Sequence, residues 1–177
     1  ADIHGFLSGE DIVYGDLVFV RGDGEETVFI YPDILTVDYF LERSLGHPAT
    51  FIKRELFRNC LYTESLKIVS DWEFFVKKII LEGCSYRHVK RTISNFDTSG
   101  VSSLSAKECN RERELVLKQL FSPVLREYFQ EAEQLKKLPL LDVFLRLSKT
   151  RRLQYRIKPL LLFVLKIDDF VVRRKKK

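Results

Sequence analysis

The sequence has no methionine, a single tryptophan and only three cysteines among its 177 residues. Structural zinc sites use close ligand pairs such as Cys-x-x-Cys, so the isolated Cys60, Cys84 and Cys109 do not predict a zinc site. An odd number of separated thiols also argues against a disulfide scaffold and favours buried, reduced cysteines. Because position 1 is not methionine either, we expect a fragment, a processed product or a reading with a lost start.

Long apolar runs are missing as well. The longest run near the C-terminus is PLLLFVL at 159–165, which is far shorter than the roughly 18–20 residues that span a bilayer. A transmembrane helix is therefore not expected. Cationic clusters flank this run, so one hypothesis for residues 151–177 is an interfacial helix on an anionic membrane. The alternative is that the run packs against the rest of the protein and that the final RRKKK is solvated.

Charge is distributed unevenly along the chain. Residues 1–100 contain 11 Lys and Arg against 16 Asp and Glu, whereas residues 101–177 contain 19 against 9. The two parts therefore have balances of −5 and +10, which suggests two different roles. The acidic part is a poor candidate for nucleic-acid binding. In the basic part, aromatic residues do not alternate with basic ones, so no nucleic-acid partner is expected.

The order of the predicted elements indicates an α/β fold. The pattern predicts a strand at 11–20 broken near Gly15, a turn at 21–26 and a second strand at 27–31. Further predicted elements are a helix ending at Arg43, a strand and short helix within 48–57, a helix at 71–81 and two strands between Ser85 and Phe96. After 104 the pattern is helical, with Pro123 and Pro159 as breaks. We therefore divide the chain into an α/β domain, 1–104, and a basic helical extension, 105–177.

Four segments in this order are distinctive: IVYGD at 12–16, SLGHPATFIKRELF at 44–57, LKIVSDWEFF at 66–75 and ISNFDTSGVSS at 93–103. Together they resemble the downstream half of bacterial family 2 glycosyltransferases. These are inverting enzymes with a GT-A fold that decorate cell-surface polysaccharides. The resemblance covers about residues 10–104. It implies the acceptor-side half of an enzyme that transfers a hexose from a nucleotide-sugar donor to a saccharide or lipid-linked acceptor.

The resemblance implies a catalytic role for Asp71. In this family an acidic residue at the start of the helix corresponding to 71–81 is the general base that deprotonates the acceptor hydroxyl. A carboxylate at a helix N-terminus is also held in place and kept ionised by the free N–H groups and the helix dipole. The alternative is that Ser70 or Asp71 is an ordinary helix N-cap without chemistry.

Three further residues are candidates for substrate binding. Trp72 is either a stacking platform for a sugar ring or a core anchor beneath its helix. His47 lies where the family lines the site opposite the base, or it caps the loop before a strand. Lys53 shapes the end of a strand or contacts phosphate.

The resemblance also implies parts that this sequence does not contain. The family binds its nucleotide with an upstream Rossmann-like half, and it binds a divalent metal, Mn²⁺ or Mg²⁺, with an Asp-x-Asp motif. No Asp-x-Asp occurs in residues 1–177, so the metal ligands are absent from this chain. The alternative function is a non-catalytic remnant that acts as a binding module or membrane-surface adaptor. We expect a cytoplasmic location, with peripheral contact to the inner face of the cytoplasmic membrane as one hypothesis.

Overall fold

The computed structural model describes residues 7, 9–97 and 106–175, with side chains as far as Ile167. The protein is a mixed α/β structure, as the sequence predicts. It divides into two compact units, residues 1–122 and 123–177. All strands of the described residues lie in the first unit. The described part of the second unit contains only helices and the turns that join them.

The sheet of the first unit is built around its first strand, β1 (Ile12–Val20). Strand β2 (Glu26–Phe29) pairs antiparallel with the second half of β1. Strand β3 (Thr50–Ile52) pairs antiparallel with its first half. Strand β4 (Tyr86–Asp97) pairs parallel with β1 over its whole length. Because a strand has only two edges, β2 and β3 share one edge of β1 and β4 takes the other. The central position of β1 explains why six of its nine residues are buried.

Strand β1 is not broken at Gly15, contrary to the sequence prediction. Instead, the β1–β4 register shifts on both sides of Asp16, so the irregularity is a bulge rather than a break. The bulge brings β4 very close: a Cβ on Gly15 would lie 2.3 Å from Ile93 Cγ1 and 2.7 Å from the Arg91 carbonyl oxygen. The same bulge lets β4 continue as one strand where the sequence predicts two.

The helices of the first unit are α1 (Val37–Glu42), α2 (Ser70–Phe75) and α3 (Ala106–Leu120). Helix α2 continues as a π-helical segment, Val76–Leu81, so the predicted helix at 71–81 is present with a wider second half. Two short 3₁₀ turns occupy His47–Ala49 and Arg54–Phe57.

The core of the first unit lies between the sheet and α2. Its fully buried side chains are large and mostly aromatic: Trp72, Tyr14, Phe40, Phe74, Phe75, Ile12, Leu17, Leu45, Val76 and Val116. Val116 belongs to α3, which is therefore part of this core. The division between the compact units accordingly falls after Ser122, later than the boundary at 104 chosen from the change in composition.

The second unit consists of α4 (Pro123–Lys136), α5 (Leu141–Ser148) and α6 (Arg151–Lys175). Pro123 begins α4. Proline lacks a backbone N–H, and this is tolerated in the first turn because N–H groups there have no acceptor within the helix. Helix α6 continues through Pro159, although the sequence predicts an interruption there. Within the described residues, no helix is both long enough and apolar enough to cross a membrane. The side chains of the basic run 173–177 lie outside the described residues.

Candidate functional site

A cleft of about 580 Å³ opens in the first unit between the sheet and the start of α2. Its walls come from β1, the end of β4, the 44–48 loop and the residues that lead into α2. The lining residues are Leu17, Phe19, Tyr31, Ser44, Leu45, Gly46, His47, Pro48, Tyr62, Ile68, Ser70, Asp71 and Phe96. Two of the four residues predicted from the sequence, Asp71 and His47, are among them.

Asp71 lies in the first turn of α2, where its Oδ1 accepts a hydrogen bond from the Trp72 N–H at 2.6 Å. Burial raises the pKa of this carboxyl group, while the Trp72 N–H and the nearby His47 and Arg113 oppose the rise without cancelling it. Burial therefore outweighs the effect of the helix end on the pKa of Asp71. Neither Asp71 nor Ser70 is the N-cap: α2 begins at Ser70, and Val69 occupies the cap position.

His47 stands on the 3₁₀ turn after Gly46, and its Nε2 lies 2.8 Å from the hydroxyl oxygen of Tyr62. The two rings meet edge to face with their centroids 5.7 Å apart. Tyr62 in turn packs on Phe57 and Phe74, at centroid distances of 5.5 and 5.3 Å. The aromatic packing fixes Tyr62, and Tyr62 fixes the orientation of the imidazole at the edge of the cleft.

Two tyrosine hydroxyls, which the sequence analysis missed, belong to the cleft. Burial raises the pKa of both Tyr31 and Tyr62 to about 12, and the negative charge of Asp71 adds to the rise in each case. Both phenols are therefore protonated at neutral pH and able to donate a hydrogen bond. Tyr62 lies between the SLGHPATFIKRELF and SDWEFF segments, but nothing in its immediate neighbours distinguishes it from a core tyrosine.

The sheet contributes an aromatic wall. Phe19 of β1 and Phe96 of β4 are paired in register, and their rings meet edge to face at 5.9 Å. Phe29 of β2 packs against Phe19 at 5.7 Å and against Tyr31 at 4.8 Å. The cleft is thus lined by apolar aromatic rings together with carboxylate, imidazole and phenol groups.

Gly46 lets the loop approach the sheet closely enough to form the cleft. A Cβ at this position would lie 2.3 Å from Leu17 Cδ1 and 2.5 Å from the hydroxyl oxygen of Tyr31. Its φ of −72° is available to any residue, so the requirement for glycine here is one of space.

The other two predicted residues lie elsewhere. Trp72 is 1% exposed, donates its indole N–H to the Phe40 carbonyl oxygen at 2.7 Å, and has the Arg113 guanidinium 4.9 Å from its ring centroid. Its ring is covered and is not a platform for a sugar; it is the core anchor that the sequence left as the alternative. Lys53 bonds to the Gly9 carbonyl oxygen and to Asp11, 3.1 Å from its Oδ1, and does not line the cleft.

The described side chains contain no group of three metal-ligating residues, so they do not fit a divalent metal site. Comparison with protein-family models, curated proteins and solved structures gives no match for this chain.

Proposed function

We propose that the first unit is the acceptor side of an inverting family 2 glycosyltransferase of GT-A fold, acting in cell-surface polysaccharide synthesis, with Asp71 as the general base. The observation that carries the proposal is a carboxyl group of raised pKa that faces a cleft of substrate size beside an imidazole and two phenols. The four segments that resemble the family supply the reaction class. Two of these segments, at 44–57 and 66–75, contribute His47 and Asp71 to the cleft.

The chemistry that this arrangement supports is removal of a proton from a hydroxyl group. A carboxylate that binds its proton more tightly than usual is a stronger base, and it gains this property from burial. The Trp72 N–H donates a hydrogen bond to Oδ1 at 2.6 Å, which restrains the orientation of the carboxylate. In the proposed reaction Asp71 takes the acceptor hydroxyl proton while that oxygen attacks the anomeric carbon. The bond from this carbon to the terminal phosphate oxygen of the donor breaks, and the nucleotide diphosphate leaves on the opposite face.

The remaining lining residues suit a saccharide. Hydroxyl-rich ligands need donors and acceptors at fixed positions, which Tyr31, Tyr62 and His47 supply. The C–H faces of a sugar ring need an apolar surface, which Phe19 and Phe96 supply. The cleft volume lies within the about 300–1,000 Å³ typical of small-ligand sites.

Donor binding is proposed to require residues outside this chain. The nucleotide-sugar and a divalent Mn²⁺ or Mg²⁺ would be held by the other half of the complete enzyme, because the described side chains offer no metal site.

Titration of the chain with simple methyl glycosides and with UDP-glucose, followed by NMR of the His47 imidazole, tests this proposal. We expect millimolar binding of one or more glycosides with shifts of the His47 signals, and no tight binding of UDP-glucose. Micromolar affinity for UDP-glucose would contradict the acceptor-side assignment, and so would glycoside binding without any change at His47. Glycoside binding by a complete gene product that transfers no sugar would favour the non-catalytic binding module.

A further inference from the structure

Helix α6 of the second unit exposes an apolar stretch around its whole circumference. Leu160, Leu161, Leu162, Phe163, Val164 and Leu165 are each between 41% and 61% exposed. Successive residues on an α-helix are about 100° apart, so six in a row go round more than one full turn. No single face of a neighbouring helix can cover such a stretch. A helix that is apolar on all sides is normally surrounded by a protein core or by lipid.

The neighbouring helix extends this surface. On α5, Val143, Phe144 and Leu145 are between 43% and 55% exposed. A cleft of about 550 Å³ lies between the two helices, and its walls are largely apolar: Phe144, Leu147, Ser148, Gln154, Tyr155, Ile157, Lys158, Leu161 and Leu162. Contiguous apolar surface of this extent is unusual on a soluble monomer and marks an interaction site.

Positive charge surrounds the apolar surface. By sequence, residues 141–177 contain three acidic residues, Asp142, Asp168 and Asp169, and twelve basic ones, of which seven precede residue 168: Arg146, Lys149, Arg151, Arg152, Arg156, Lys158 and Lys166. Basic residues occur on both sides of the apolar stretch, at Lys158 and at Lys166. Long basic side chains in this position can reach from an apolar environment to an anionic surface.

We propose that α5 and α6 form a membrane-docking surface that lies in the plane of an anionic bilayer, with residues 160–165 inserted at the boundary of the acyl chains. Within the described residues no helix meets the length and hydropathy needed to cross a membrane, whereas in-plane insertion requires neither. At this boundary a phospholipid bilayer provides acyl chains that bury most of the circumference of residues 160–165, and phosphates for the basic side chains. This inference is independent of the reaction proposed for the first unit.

Charge also distinguishes a bilayer from the other occupants of such a surface. A second copy of the chain would bring two strongly basic segments together, and their repulsion would oppose self-association. A nucleic acid would neutralise the basic side chains but would leave Leu160, Phe163 and Leu165 exposed. An anionic bilayer satisfies both requirements at once.

Vesicle co-sedimentation tests the proposal directly. We expect binding of the whole chain to phosphatidylglycerol–phosphatidylcholine vesicles at low salt, a steep loss of binding at high salt, and weak binding to pure phosphatidylcholine. The triple change Arg151→Gln, Arg152→Gln and Arg156→Gln should lower partitioning at least about tenfold, since each basic group near an anionic surface contributes about fivefold. A matched triple change on α3, Lys107→Gln, Arg111→Gln and Lys118→Gln, should lower it less than threefold.

The apolar contribution is tested separately. Leu160→Ser with Phe163→Ser should lower vesicle partitioning at least about tenfold at every salt concentration, because salt does not screen the burial of apolar side chains. The control is Ile34→Ser with Leu61→Ser, two apolar residues of the first unit that are more exposed than Leu160 and Phe163. Circular dichroism verifies that each variant is folded.

A second measurement does not depend on loss of binding. In a chain that carries Trp72→Phe and Phe163→Trp, the only tryptophan reports on α6, and anionic vesicles should shift its emission to the blue. Lipids brominated near the head of the acyl chain should quench it more than lipids brominated near the terminal methyl. Failure of the unaltered chain to bind anionic vesicles at low salt would overturn the proposal, as would concentration-dependent dimerisation through residues 160–165 without vesicle binding.

Discussion

The carboxylate of Glu112 accepts a hydrogen bond from the Val69 N–H at 3.1 Å, two residues before Asp71. It also accepts bonds from the N–H groups of Lys67 and Ile68, each at 2.9 Å. Glu112 is only 5% exposed and stands on α3, so a helix distant in sequence fixes the segment that leads into α2. The position of the proposed base therefore depends on a side chain that the sequence analysis assigned to the helical extension.

Glu112→Gln should destabilise the first unit by about 2–3 kcal/mol, because an amide nitrogen would face backbone donors that a carboxylate now satisfies. Urea unfolding followed by circular dichroism measures the change. The control is Glu114→Gln on the same helix, which affects an exposed pair with Lys118 and should have little effect. Equal stability of the two variants would show that the Glu112 bonds do not hold the segment.

The Glu112 carboxylate should also make the stability of the first unit sensitive to acid. Burial opposes ionisation of Glu112, but its three N–H bonds outweigh burial and lower its pKa. Because the pKa of Glu112 is lower in the folded state, its hydrogen bonds stabilise the fold fully above the ordinary pKa of a glutamate, about 4.3. This stabilisation is lost as the pH falls through the folded-state pKa of Glu112. Stability of the unaltered chain should therefore fall more steeply below about pH 4 than that of Glu112→Gln. Parallel curves would contradict the pKa assignment.

Gly46→Ala should disturb the cleft, because the added methyl group would press on Leu17 and Tyr31. We expect a loss of about 1–3 kcal/mol in stability, typical of overpacking, together with weaker glycoside binding. Gly22→Ala is the matched control, since a Cβ there meets no atom within 4 Å. Thermal unfolding and the NMR titration measure both effects; an unaffected Gly46→Ala would mean that the loop can move away from the sheet.

A buried imidazole bridges two carboxylates behind the cleft. His88 Nε2 lies 2.9 Å from Asp16 Oδ1, and Nδ1 lies 2.7 Å from Asp33 Oδ1. The Asp16 oxygen also accepts the Tyr31 N–H at 3.0 Å, which connects this bridge to a residue of the cleft wall.

His88→Phe should cost about 2–3 kcal/mol, because the new ring keeps the stack on Tyr14 but leaves the buried Asp16 carboxylate short of a donor. Lys90→Gln is the control: Lys90 is exposed, lies on the same strand and pairs with the same Asp33. It should leave the unfolding midpoint unchanged. A similar loss in both variants would indicate that the surface pair, and not the buried bridge, carries the stabilisation.

Because Trp72 is the single tryptophan, its fluorescence reports directly on whether its ring is buried. Because the Trp72 ring is buried beneath Arg113, its emission should be blue-shifted from that of exposed tryptophan and poorly quenched by acrylamide. Saturating glycoside should change it little. Strong quenching, or a large response to glycoside, would return Trp72 to the role of a sugar platform.

Most strands and helices followed from local patterns, and the structure differs from the prediction at Gly15 and at Pro159. Alternating β-branched and aromatic residues predicted β1, and the spacing of Phe75, Val76 and Ile79 predicted the helix after Asp71. The bulge beside Gly15 was interpreted as a break, because a sequence shows a glycine but not the neighbouring strand that accommodates it. Pro159 was interpreted as an interruption, although the helix continues through it.

The candidate site was only half predictable, because it depends on contacts between distant segments. Asp71 and His47 lie in recognisable segments, and the structure brings both to one cleft. Tyr31 and Phe96 reach the cleft only through the pairing of β1 with its neighbours, which local patterns do not reveal. Trp72 follows Asp71 directly, yet successive helical residues point about 100° apart, so one faces the cleft and the other the core.

The role of Asp71 is the central claim, and transfer of radiolabelled sugar by the complete gene product carrying Asp71→Asn tests it most directly. We predict at least about a 100-fold loss of turnover with unchanged donor affinity. Asp38→Asn, a carboxylate in the first turn of α1 outside the cleft, should retain the parent rate. Because burial raises the pKa of Asp71, ionisation costs stability as the pH rises through that value, so Asp71→Asn should be at least as stable as the parent at neutral pH. A stable Asp71→Asn enzyme that turns over within tenfold of the parent would contradict the account.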